Sequence, residues 1–578
     1  MNLFKRIIKI GRVGYTYSFV SMLGVFLVPD LVPKEKIEYS LPMNLPVYLS
    51  GSFGELRNNH FHGGLDFRTE GRTGIPVNSV ADGYVSRVQV SLYGGGNVLF
   101  VKHPDGLTSV YMHLDRFVPD ITRKVEEAQY AKEDYTLDYS FKPDEIPVTR
   151  GQQIAFSGNT GSSGGPHLHM ELVDYDADER INPLLIYGEY LKDSRSPLVQ
   201  GITLYEPGVS FYDKETSRRN FGVVGGQGKY RIPGVINAWG KIGFGVRAYD
   251  VKDDVHFKYG VRDIALYVDS SEVFFSRLDS LEVSKGRNFN FYIDYPQWRK
   301  NRTFTVKSFA DPGAELRAYC SMNADRGYIN INEERPYKFR YELTDFHGNR
   351  SVIDFTVNGK KSNLRPLPKD YLPGAEWIRC DKDVVIQEKD IRIEYPKGVL
   401  PDHLRKSIIR RDSAKYCSPV YQIQDENVPL NSYIPLSIQL KGYSLFDPGK
   451  FYIGKVEGER LSSLPTTYKD GWHTTRIREF GSYALEIDTI APRIVTLNEN
   501  RWGNLGRITV SASDTHSGLV SVKAYVDGKF VLLVPSKGSS WSYRLNRRDI
   551  KKGKKHKAEI IAVDGCGNKR LITKEFYW

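Results

Sequence analysis

Cysteine is scarce in this chain. Four residues in 578 are too few for a disulfide framework. Cys380 and Cys417 fall in one expected domain and are the pair that a disulfide would join, whereas Cys320 and Cys566 belong to other domains and are expected to be buried and free. None lies near the histidine-rich segment, which argues against thiolate metal ligands there. There is no H-E-x-x-H sequence, so a helix-borne zinc site with a glutamate base is excluded. Nothing reads as a recognition helix or an interleaved basic and aromatic surface, which removes nucleic acid from the expected partners. After the first thirty residues no run is long and apolar enough to span a bilayer. That first stretch differs: Lys5, Arg6, Lys9 and Arg12 precede an uncharged run from Val13 to Pro29, the order of an export signal. No A-x-A site and no cysteine for lipid attachment follow it. Residues 1–30 are therefore expected to be a signal peptide or an N-terminal anchor, with the remainder in the periplasm or cell envelope.

What is present points to β-structure. Hydrophobic residues make up 40%, with 37 Tyr, 28 Phe, 52 Gly and 29 Pro, a composition of strands and tight turns more than of helical bundles. The length requires several cores. A formal charge of +12 suits a partner that is an anionic polymer, and equally a basic solvated surface. From about Val47 to residue 190, short β-type runs alternate with glycine turns: Gly74-Ile75-Pro76-Val77, Ala81-Asp82-Gly83-Tyr84-Val85, Asn97-Val98-Leu99-Phe100-Val101 and Gln153-Ile154-Ala155-Phe156. An antiparallel sheet is expected, interrupted by an insertion at about 117–147 whose charged piece Arg123 to Asp134 reads as helical or loose. The insertion is either a surface loop or a lid.

The later chain contains an internal repeat. Phe244 to Asp250, Gly260, then Ile264 to Asp269 is echoed by Ile508 to Asp514, Gly518, then Val522 to Asp527. Each copy closes with Asp-x-x-Gly-Asn, at Asp345 to Asn349 and at Asp564 to Asn568. These copies resemble the immunoglobulin-like modules of bacterial surface proteins. With the strand-like runs between them they give three expected β-sandwiches at 197–361, 365–488 and 490–578, serving as spacers or docking an envelope or membrane protein partner. Arg544 to Lys557 carries eight Lys or Arg and reads as a basic hairpin or a contact for anionic polymer.

Six of the twelve histidines, at positions 60, 62, 103, 113, 167 and 169, are concentrated in one segment. His62 and Asp66 can reach one cation if the chain turns tightly between them, a freedom that Gly63 and Gly64 are expected to supply. His167 and His169, two apart on a strand, point to one face with Leu168 opposite. His113 follows another strand-like run and is a candidate for a further imidazole or an ordinary structural histidine.

The ordered set Phe61-His62-Gly63-Gly64-Leu65-Asp66-Phe67, Gly74-x-Pro-Val, Asp82-Gly-Tyr-Val, Tyr111-x-His-Leu, and Gly158-Asn-Thr-Gly leading into Gly165-Pro-His-Leu-His-Met-Glu171 resembles the lysostaphin/LytM-type zinc peptidases of bacterial cell walls. The likeness covers about residues 50–187. It implies one zinc ion bound by His62, Asp66 and His169, catalytic histidines at His113 and His167, and a peptidoglycan stem-peptide substrate, with a D,D-endopeptidase preferred because no glycine-bridge-binding domain stands out. His167 is the choice for general base and His113 for hydrogen bonding to water or oxyanion; the two roles are exchangeable at this stage. His60 and His103 match no family position. The alternative is a non-catalytic scaffold that binds or activates a cell-wall amidase.

Overall fold

The computed structural model describes residues 37–363, 376–440, 442, 446–536, 538–546 and 550–578. The expected export segment lies outside them, as does part of the basic stretch 544–557. Among the described residues no helix is long and apolar enough to cross a membrane.

The chain is mainly β. Its N-terminal domain is built on an antiparallel sheet in the order Leu49–Gly51, Leu65–Arg68, His167–Asp174, Thr108–Met112, Asn97–Lys102, Gly83–Val90, Leu137–Ser140. The central strand His167–Asp174 alternates as the sequence pattern requires, with Leu168, Met170 and Leu172 fully buried. It pairs on one side with Leu65–Arg68, setting His169 opposite Asp66, and on the other with Thr108–Met112, setting His169 opposite Met112. Residues opposite one another in an antiparallel pair share a face, so register alone brings Asp66 to the two histidines.

The insertion folds as a helix, Pro119–Lys132, with proline at its first turn and Ile121, Val125 and Gln129 buried at helical spacing. The strand Leu137–Ser140 then extends the main sheet along Gly83–Val90. At the helix end, Glu133 accepts a 2.7 Å hydrogen bond from Tyr525, and the Tyr130 ring meets Phe530 edge to face at 5.6 Å. The C-terminal β-domain thus touches the insertion across 392 residues of sequence.

The next β-domain is fused to the first. One hydrophobic core runs from Met43 to Val357, and Glu179–Ile181 pairs with Ser280–Glu282. Phe61 packs edge to face on Phe289 and Tyr292 at 5.2 and 5.3 Å, while Tyr259 donates to the Leu49 carbonyl at 2.9 Å. Two five-stranded sheets over 384–487 enclose a second core, and two four-stranded sheets over 493–577 a third. In both repeat copies the two echoed strands enter different sheets, Gly240–Tyr249 and Asp263–Val268 in one, Arg507–Ser513 and Leu519–Val526 in the other. The closing turns match as well: Asn349 donates to Asp345 from backbone and side chain at 2.9 and 2.8 Å, and Asn568 to Asp564 at 2.8 and 2.9 Å.

Two cysteine expectations are corrected. Cys380 and Cys417 form no disulfide; the Cys417 thiol donates instead to the Glu486 carboxylate at 3.5 Å. Cys320 is exposed, because it lies on the strand Tyr319–Met322, whose central residues face solvent.

Candidate metal centre and flanking histidines

His62, Asp66 and His169 converge in a buried cluster. His62 Nε2 lies 2.9 Å from Asp66 Oδ1 and 2.9 Å from His169 Nδ1, and His169 Nδ1 lies 2.8 Å from Asp66 Oδ1. Outward hydrogen bonds fix the tautomers. His62 donates from Nδ1 to the Ser52 carbonyl at 2.7 Å, and His169 from Nε2 to Glu171 Oε1 at 3.1 Å. With those protons committed outward, two imidazole lone pairs and a carboxylate oxygen face one point. With both rings neutral these are three acceptors, a set that a cation satisfies; without a metal, a proton on His169 Nδ1 donated to Asp66 fills that place. Two neutral imidazoles and one carboxylate are the donor set of a three-ligand zinc site with an open position, and a carboxylate behind a ligating histidine is its usual support.

The electrostatics follow the same geometry. Burial alone disfavours the charged form of Asp66, but the surrounding histidines outweigh it and hold its carboxyl well below the usual range. Burial lowers His62 to about 4. Burial also opposes charge on His169, yet its bonds to Asp66 and Glu171 prevail and raise it to about 9.

Gly63 and Gly64 do not act as expected. Neither has the left-handed backbone of a tight glycine turn. Glycine is required at 64 because a Cβ there would lie 2.2 Å from the Met170 carbonyl oxygen, so the segment can press directly against the central strand.

His113 and His167 flank the cluster. Their ring centroids are 4.8 Å apart, His113 lies 6.1 Å from His169, and His167 Nε2 is 3.5 Å from Asp66 Oδ1. His113 has φ +62°, a conformation uncommon for a non-glycine residue. It is held by its own N–H donating to Gly95 O at 2.8 Å and its ring Nδ1 donating to Thr160 O at 2.9 Å. His167 Nδ1 donates to Gly165 O at 2.9 Å. Both rings therefore present an unprotonated Nε2 when neutral. Burial lowers His113 to about 4, with His167 and His169 adding to the effect, so it is neutral at physiological pH. His60 and His103 stand apart: His60 Nδ1 donates to Asn58 O at 2.9 Å, while His103 is buried against Ser109 and the Asp82 carbonyl, each at 2.8 Å.

Sequence reasoning missed the supporting groups. Glu171 was reachable by the rule that linked His167 to His169, being two further along the same strand. It is buried and accepts from Arg180 Nε at 3.0 Å. Arg57, whose Nη2 donates to Asp66 Oδ2 at 2.5 Å, had no sequence signal.

Comparison with known proteins finds a family match over part of the N-terminal domain. Residues 60–133 match Peptidase family M23, and the N-terminal domain is a peptidase domain of that family. Residues 375–488 match a Zu5-like domain. The chain is 35% identical to the peptidoglycan DD-endopeptidase ShyB of Vibrio cholerae over 19% of this chain and 20% of that protein. It is 33% identical to an uncharacterized metalloprotease of Haemophilus influenzae over 22% and 21%, and 31% identical to lysostaphin of Staphylococcus simulans over 20% and 18%. The matched region spans about a fifth of these relatives. Among solved structures, a zinc-containing peptidase from Vibrio cholerae is 29% identical over 24% of this chain and 37% of that one, with a TM-score of 0.18.

Proposed function

We propose that this chain is an exported zinc-dependent endopeptidase that hydrolyses the peptide cross-links of bacterial peptidoglycan, with the D,D bond as its target. The observation that carries the reading is the convergence of His62 Nε2, Asp66 Oδ1 and His169 Nδ1 on one point, with His62 Nδ1–H turned outward to Ser52 and His169 Nε2–H to Glu171. These three residues would hold the zinc, which would supply a Lewis acid that polarises the scissile carbonyl and makes water nucleophilic at neutral pH. His167 takes the proton of the attacking water at Nε2 and returns it to the leaving amine. His113, its Nδ1 proton committed to the Thr160 carbonyl, presents Nε2 as an acceptor that orients the attacking water by a hydrogen bond. The choice of peptidoglycan and of the D,D bond is supported by the relatives named as DD-endopeptidases. Export rests on the charge-then-apolar order of the first thirty residues. The shared core of the first two domains favours a catalytic unit longer than the M23 match, with the remaining β-domains as spacers or partner-binding modules. Digestion of purified cross-linked muropeptides by the zinc-loaded protein tests the reading: dimers converted to monomers support it, and intact dimers oppose it.

A further inference from the structure

The two oxygens of Asp66 have different partners. Oδ1 faces His62 and His169, whereas Oδ2 accepts the 2.5 Å charge-assisted bond from Arg57 Nη2. Arg57 sits on the strand Leu56–Arg57, paired with His60–Phe61, so one hairpin carries the arginine and leads straight into His62. Its guanidinium is steered by Glu55, Nε to Oε1 at 3.4 Å, and Glu55 in turn accepts the Ser52 N–H at 3.2 Å. The Ser52 carbonyl is the group that holds His62. The backbone of one residue therefore anchors the supports of two candidate ligands.

Gly51 makes room for this pair. It lies opposite Asp66 on the neighbouring strand, and a Cβ there would stand 2.1 Å from Arg57 Nη2 and 2.6 Å from Asp66 Oδ2. Its φ is outside the left-handed region, so backbone conformation does not demand glycine; the space occupied by the guanidinium does.

A carboxylate with one oxygen tied to a guanidinium offers a cation only the other. Released, it can swing to present both and fill the position that a catalytic site must leave open. We propose that Arg57 is a positioning residue that holds Asp66 as a one-oxygen ligand and offsets part of its charge, touching neither the metal nor the substrate. This rests on the zinc reading above and goes beyond it by assigning a support that the ligand set alone does not require.

The test uses the full chain and four proteins: the parent, Arg57→Ala, Arg57→Lys and Gly51→Ala. Zinc affinity is measured by chelator competition, coordination by the visible spectrum of the cobalt(II)-substituted protein, and fold by metal-free melting. Arg57→Ala is expected to weaken zinc binding about 10- to 100-fold and to change the cobalt spectrum, with metal-free melting unchanged. Gly51→Ala should move both readouts the same way, because its methyl displaces the guanidinium without deleting it. Arg57→Lys should recover part of the affinity. Parent-like zinc affinity and cobalt spectrum in Arg57→Ala would overturn the inference and leave an ordinary ion pair. If Arg57→Ala does not fold, Gly51→Ala decides by the same criteria. A parent that binds neither metal would instead overturn the zinc reading, and the inference with it.

Discussion

His62 Nε2 and His169 Nδ1 face each other at 2.9 Å, each ring having turned its N–H outward, to Ser52 and to Glu171. In the metal-free protein a proton on His169 shared with Asp66 relieves this contact; a bound metal replaces that proton and adds its own binding free energy to the stability of this corner. His169→Ala is expected to abolish stoichiometric zinc and hydrolysis together. In the parent, a chelator should lower the melting temperature, and zinc at about 100 times its dissociation constant should restore about 2.7 kcal/mol. Elemental analysis and calorimetry with and without chelator check this.

His167 gives the opposite pattern. Its ring stands beside the cluster with Nε2 free to take a proton, so His167→Ala should retain one zinc and lose about 100- to 10,000-fold in kcat. Zinc content measured on the same preparation as the turnover separates the two effects.

Glu171 is buried between His169 and Arg180. Burial alone would raise its carboxyl, and its bonds to those two residues hold it down at about 2. Glu171→Ala removes the acceptor for His169 Nε2 and leaves Arg180 without this partner. Zinc affinity is expected to fall about 10- to 100-fold, with Glu171→Gln falling less, because its amide oxygen still accepts. Chelator competition reads both.

The shared core makes a prediction about truncation. Ending the chain at residue 196 would strip Phe289 and Tyr292 from Phe61 and remove the strand paired with Glu179–Ile181. The fragment is expected to be insoluble or to lack a cooperative melt, and to be inactive on soluble muropeptides as well as on whole sacculi. Phe289→Ala in the full chain should cost about 3–5 kcal/mol. Denaturant unfolding measures it.

A pH effect is expected where the first two domains meet. Asp250 is 2% exposed. Burial pushes its carboxyl up to about 7, against the pull of Lys252 and with Asp193 and Asp345 adding to the rise. The native state keeps this proton to about pH 7, while the unfolded chain releases it near pH 4. The unfolded state therefore binds fewer protons across that window, and this group's contribution to stability drains away as pH rises through it. Asp250→Asn should be little different from the parent at pH 4 and more stable at pH 8, by an amount on the order of a few kcal/mol. Melting curves across that range test the sign.

Much of the site was legible because its chemistry is local. The period of two in His167-Leu168-His169 fixes a face, and the strand register then brings Asp66 opposite His169. His113 was less legible: its left-handed backbone depends on contacts with Gly95 and Thr160 that no local pattern announces. Arg57 and Glu55 were silent because a single arginine on a short hairpin strand has many uses, and only tertiary packing selects this one. The β-class of the later chain was visible in alternation and in the Asp-x-x-Gly-Asn turns. The fusion of the first two domains was not, since it is made by side chains such as Phe61, Leu281 and Phe289, which look like any core residues in sequence. The two glycines after His62 misled for a related reason, because close approach and positive φ call for the same residue.

Five side chains around one zinc ion are proposed to cut the peptide cross-links. Mass spectrometry of cross-linked muropeptides incubated with protein shown to carry one zinc per chain tests this most directly. Conversion of dimers to monomers, absent in His167→Ala with zinc retained, is the predicted result. An unchanged dimer population at full zinc occupancy would contradict it.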